Sequence, residues 1–174
     1  MTGSALLVAG REITVNADGC AVDDLSFCGA VTVTVPADTP WTAFVDTAVD
    51  QEWVGVEALA GLTGTVGEVV AGGSAAYGQH VADVVATVRT WDEVEDRQRT
   101  FAAADCEFDI GSSRFATTDR YAILDVAFLM RQGDLTLPIR DAELGALLGV
   151  EPGARAPLDR VRGATRAQGA GAVQ

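Results

Sequence analysis

Residues 55–78 (GVEALAGLTGTVGEVVAGGSAAYG) hold seven glycines and only two charges, Glu57 and Glu68. A glycine inside a helix or strand costs about 0.5–1 kcal/mol in conformational entropy. The stretch therefore predicts loop, one short helix and loop again, carried by regular elements on either side. Before it, residues 11–15 (REITV) alternate, 16–19 (NADG) form a turn and 31–35 (VTVTV) are β-branched, which predicts two strands. Thr39 is placed to cap a helix with Pro40 at its first position, and Trp41, Phe44, Val45, Ala48 and Val49 recur at helical spacing.

After the glycine-rich stretch, residues 81–91 (VADVVATVRTW) predict a strand, 92–96 a charged hairpin turn, 97–101 its partner strand and 102–106 a short helical piece. Residues 121–130 (YAILDVAFLM) are the most apolar run and predict a central strand. Gln132, Gly133 and Asp134 turn the chain into 135–138, and two short helices, 141–148 and 157–168, follow. The class is α+β: an antiparallel-rich sheet flanked by a few short helices. One domain is expected over residues 1–168, with 169–174 a disordered tail of small residues.

The formal charge is −13, and all 12 basic residues are arginine. An acidic surface repels phosphate backbones, so no nucleic-acid partner is expected. Without lysine there is neither a Schiff-base mechanism nor a Walker-type phosphate loop. No apolar run approaches the roughly 20 residues that span a bilayer, and the first residues lack a basic segment followed by an apolar stretch. No membrane association and a cytoplasmic location are expected. Cys20, Cys28 and Cys106 are odd in number and widely spaced, and the single histidine, His80, has no cysteine nearby. Neither a disulfide framework nor a metal site fits that pattern. The thiols read as reduced, small hydrophobes. The acidic cluster at 92–96 lacks the spacing of a calcium loop and reads as a solvated turn.

The glycine-rich stretch resembles the second flavin-binding lobe of the UDP-N-acetylenolpyruvoylglucosamine reductases, the MurB family. That lobe carries a run close to E-x-L-x-G-I-P-G-S-x-G-A-x-P-x-Q-N-x-G-A-Y-G. Here Glu57, Leu59, Gly61, Gly64, Thr65 and Gly67 lead without insertion or deletion to Ala76, Tyr77 and Gly78. The likeness is clearest at residues 55–91 and 108–168, where Phe108, Ser113, Arg140, Glu143, Leu144 and the last helix also find counterparts. It implies the fold of the MurB middle lobe.

The departures are as informative. A family reductase begins with a lobe whose G-G-G-S-N type loop holds the FAD pyrophosphate, and ends with a lobe that binds the sugar nucleotide. Neither is expected here, since no such loop precedes Ala5 and the chain stops before the third lobe. Within the shared lobe, the family's Pro, Gln and Asn become Val70, Gly72 and Gly73, and its substrate-facing arginine becomes Gly111. Arg114, on a strand, would point to the opposite face.

Gly61, Gly64, Thr65 and Gly67 read in two ways: as amides for a phosphate at a helix start, or as the small residues of tight turns and close packing. Gly72, Gly73 and Gly111 read as a cleft emptied for an apolar ligand, or as a loop that drifted once flavin was lost. In the first reading, Gly61, Gly64, Thr65, Gly67, Gly72, Gly73, Ala76, Tyr77 and Gly111 line one ligand face. Tyr77 and Ser113 would orient a ligand carbonyl, and Glu57 and Glu68 are the nearby carboxylates for proton transfer. A bulky residue at Gly73 is expected to fill that cleft without disturbing the fold. Trp53 is a further candidate for the ligand wall.

These features predict a flavin-free MurB-like protein turned to an apolar small-molecule substrate of specialised metabolism, as a cyclase or isomerase. Such reactions need shaping and desolvation more than a dedicated triad. The alternative is the FAD-binding half of a split or dimeric flavoprotein oxidoreductase. No cofactor is expected in the first case and FAD in the second; activity as the family reductase is expected in neither. Faces that other lobes would cover in the family predict a homodimer or a partner chain.

Overall fold

A computed structural model of the protein describes residues 3–17 and 29–169. The Asp18 and Gly19 half of the first turn, Cys20, Cys28 and tail residues 170–174 lie outside the described residues. The strands are β1 (Gly3–Val8), β2 (Arg11–Asn16), β3 (Ala30–Pro36), β4 (Trp53–Val54), β5 (Ala75–Ala76), β6 (Gln79–His80), β7 (Val85–Asp92), β8 (Arg97–Ala102) and β9 (Tyr121–Gln132). The helices are α1 (Trp41–Asp50), α2 (Val66–Ala71), α3 (Ala142–Leu148) and α4 (Leu158–Gln168).

The main sheet runs β1-β2-β3-β9-β7-β8, antiparallel throughout, with β4 pairing to the end of β9. Its centre is β9, the most apolar run of the sequence. On β3 the period-2 pattern sends Val31, Val33 and Val35 into the core. There α1 meets them with its buried stripe of Trp41, Phe44, Val45, Ala48 and Val49. Phe44 stacks on Phe128 of β9 with centroids 4.8 Å apart, and Trp41 meets Phe44 edge-on at 5.5 Å. The Trp41 indole donates to the Leu59 carbonyl at 2.9 Å, which fastens the glycine-rich stretch to α1. A second apolar cluster, with Ala58, Ile139, Leu144, Leu148 and Val161, lies under α3 and α4.

Several local expectations change. β1 is a full edge strand that its sequence did not announce, because its side chains are mostly exposed and show no alternation. Thr39 does not cap α1. Pro40 holds the cap position, and the Thr39 hydroxyl is buried without a hydrogen-bond partner. Residues 81–83 are a 3-10 turn leading into β7, and 114–116 are another, so Arg114 is not on a strand. Trp53 is buried in the core rather than on a ligand wall.

Candidate functional site

The head of α2 is closed to an anion. Thr65 caps the helix in a reciprocal box: its hydroxyl accepts from the Glu68 N–H at 3.3 Å, and the Glu68 carboxylate accepts from the Thr65 N–H at 2.8 Å. The next two amides are also spent, Val66 N–H on the Thr39 carbonyl and Gly67 N–H on the Ala37 carbonyl, both at 2.9 Å. A Cβ on Gly64 would come within 2.7 Å of the Glu68 carboxylate, and on Gly61 within 2.9 Å of the Thr165 carbonyl. These glycines therefore serve close packing. The residues present do not fit a flavin pyrophosphate here, because each first-turn donor already has a partner and a carboxylate lies over the helix end.

Nor do the remaining expected positions form an open face. Gly73 sits in left-handed backbone (φ +54°) against the 109–112 turn; a Cβ there would lie 2.7 Å from the Asp109 carbonyl oxygen and closer still to that of Ser112. Gly72 ends α2, Ala76 is core, and the Gly111 N–H donates to the Gly73 carbonyl at 3.3 Å. Ser113 is buried, its hydroxyl donating to the Ala71 carbonyl at 2.6 Å and accepting from Phe115 N–H at 3.2 Å. Its one proton is spent inside the fold, so it has none to donate to a ligand carbonyl. Arg114 is ion-paired with Glu107.

The structure brings two of the candidates, Glu57 and Tyr77, to a different place. A cavity of about 490 Å³ opens between the glycine-rich stretch, the end of β9 and residues 136–141, with Leu144 and Val161 behind it. That is within the usual size of a small-molecule site. Its walls are largely apolar, including Val54, Val84, Leu129, Met130, Leu137 and Ile139. Glu57, only 1% exposed, accepts from Gly55 N–H at 2.7 Å and from the Gln79 amide at 3.1 Å. Gln79 in turn accepts from Ala58 N–H at 2.9 Å, so the carboxylate is held as part of the wall.

Tyr77 carries two local costs at once. Its backbone is left-handed (φ +51°) without being glycine, and its hydroxyl is buried with no hydrogen-bond partner. Burial first, and then the charges of Glu143 and Asp141, raise its pKa above the ordinary 10.0. The phenol therefore stays protonated and can serve as a hydrogen-bond donor or weak acid rather than as a base. Arg131 and Arg140 also border the cavity, as do Asp83 and Asp141, the latter accepting from Leu144 N–H at 2.8 Å as the cap of α3. Beyond Glu57 and Tyr77, which were candidate site residues, Gly78, Arg140 and Leu144 stood among the resemblance positions, but nothing in the sequence marked them as one cavity. The lining residues come from six separate stretches of the chain, from Ala30 to Val161.

No family model matches the chain. It is 45% identical over 166 residues to the UDP-N-acetylenolpyruvoylglucosamine reductase of Cutibacterium acnes, a match covering 92% of this chain and 44% of that protein. The reductase of the same name from Thermobifida fusca is 39% identical over 166 residues, covering 93% and 47%. The likeness thus reaches well before Gly55, and the chain spans a little under half the length of these curated relatives. Among solved structures, UDP-N-acetylenolpyruvylglucosamine reductase (MurB) from Thermus caldophilus matches with a TM-score of 0.52 at 19% identity, over 57% of this chain and 36% of that one. At that identity the match speaks for the fold, the α+β arrangement described above. No helix of the described residues is long and apolar enough to cross a membrane.

Proposed function

We propose that this chain, a partial MurB-like member of the UDP-N-acetylenolpyruvoylglucosamine reductase family, binds an apolar small molecule without flavin. The observation that carries the reading is Tyr77: a strained backbone and a partnerless buried hydroxyl on the wall of a cavity. Costs of this kind persist where a ligand repays them. A phenol donating to a ligand carbonyl inside apolar walls suits ring closure or isomerisation, in which desolvation and orientation lower the barrier. Such a reaction fits the biosynthesis of specialised metabolites. The test uses the neutral fluorescent probe N-phenyl-1-naphthylamine. Saturable binding that is lost in Leu137→Trp, a substitution at a half-exposed position on the cavity wall, supports the reading. Binding unchanged by that substitution refutes it.

A second reading, a flavin-binding portion of an oxidoreductase, is favoured by the 45% identity to the Cutibacterium acnes protein. In that reading the flavin pyrophosphate would be held outside the head of α2, which Glu68 already caps.

A further inference from the structure

We infer that the cavity is built for an amphipathic carboxylate, its apolar body between β9 and residues 136–141 and its charged end at Arg131 and Arg140; this rests on the small-molecule reading above. Asp and Glu outnumber Arg by 25 to 12, so an arginine without a carboxylate is the exception. Seven of the twelve have one within 4.0 Å. Of the others, Arg99 lies over the Phe101 ring and Arg160 donates to the Leu148 carbonyl at 2.6 Å. Among the described residues only Arg131, Arg140 and Arg155 have neither kind of partner, and two of those three stand at one cavity.

A guanidinium binds a carboxylate through paired, charge-assisted hydrogen bonds. The local carboxylates set the charge the ligand can carry. Glu57 and Asp141 are tied to backbone and amide donors, while Asp83 stays exposed at the rim. The two guanidinium groups can hold one carboxylate directly, while the three carboxylates nearby repel a ligand of higher negative charge such as a diphosphate. The Tyr77 hydroxyl adds one donor for an oxygen deeper in the ligand. The walls, Val84, Leu129, Met130 and Ile139 among them, favour a hydrocarbon body.

Displacement of N-phenyl-1-naphthylamine from the full chain tests this with decanoate, decan-1-ol and decylamine, alike in body and different in charge. Decanoate should displace the probe at a concentration about tenfold or more below that of decanol, the equivalent of one charge-assisted contact, with decylamine weakest. The double variant Arg131→Gln, Arg140→Gln should erase the advantage of decanoate and leave decanol unchanged; both side chains are exposed, so the fold is not at stake. Decanol equal to decanoate, or an advantage that survives in the variant, overturns the inference and leaves the cavity reading standing. A probe that does not bind at all overturns the cavity reading itself.

Discussion

Replacing Tyr77 by phenylalanine removes one oxygen atom, and the structure predicts that the protein becomes more stable without it. The hydroxyl is buried and has no hydrogen-bond partner, an arrangement that costs about 1–3 kcal/mol. Phenylalanine keeps the ring and leaves the left-handed backbone as it was. A gain of about 1 kcal/mol raises the melting temperature of a domain this size by about 2–4 °C. The pH dependence has a definite sign. The folded pKa of Tyr77 is raised from 10.0, so the wild type keeps this contribution below that pH and loses it as pH rises toward the folded value. The Phe variant has no such group, and its advantage should widen in alkali. Calorimetric melting of both proteins at neutral and alkaline pH measures this. A variant that melts below the wild type would mean that the hydroxyl has a partner in solution and belongs to the scaffold, which refutes the argument.

Gly73→Leu should destabilise by at least about 2 kcal/mol, since a left-handed position and an overpacked backbone contact act together; a melting temperature within a degree of wild type would contradict the packing seen at Ser112. Arg120 holds both oxygens of Asp92, and with the amides of Val94 and Glu95 it lowers that carboxyl from 3.8 to about 2 against the opposing effect of burial. The stability this confers is present above pH 3.8 and lost as pH falls through about 2, so acid melting curves should be flatter for Asp92→Asn than for wild type. Among the described residues β1 is an uncharged edge strand with Leu7 79% exposed, a surface that pairs readily with another strand. Light scattering should therefore show a dimer at micromolar concentration, and a monomer there would contradict the expectation.

Periodicity made much of the framework legible. The alternation of β3, the helical stripe of α1 and the apolar run of β9 each bury one face, and burial is what composition encodes most directly. β1 was not legible because its side chains are mostly exposed on both faces, so no alternation is imposed on its sequence. Glu57 and Tyr77 were legible as candidates, but their setting was not. The cavity joins Gly55, Tyr77, Leu129 and Arg140, whose contacts depend on how β9 and residues 136–141 return to the glycine-rich stretch. The glycines misled for a physical reason. Gly73 looks like an emptied pocket in sequence, yet it is small because the backbone of residues 109–112 passes against it. Glu68 looks like a spare carboxylate and is the N3 half of the capping box of α2.

The most direct measurement is retention of flavin against retention of an apolar probe on the same purified chain. The protein is incubated with excess FAD, passed over a desalting column and its visible absorbance recorded, and then titrated with N-phenyl-1-naphthylamine. The protein fraction should carry no flavin bands and should bind the probe saturably, with binding abolished by Leu137→Trp. About one flavin retained per chain, with probe binding indifferent to Leu137→Trp, would contradict it.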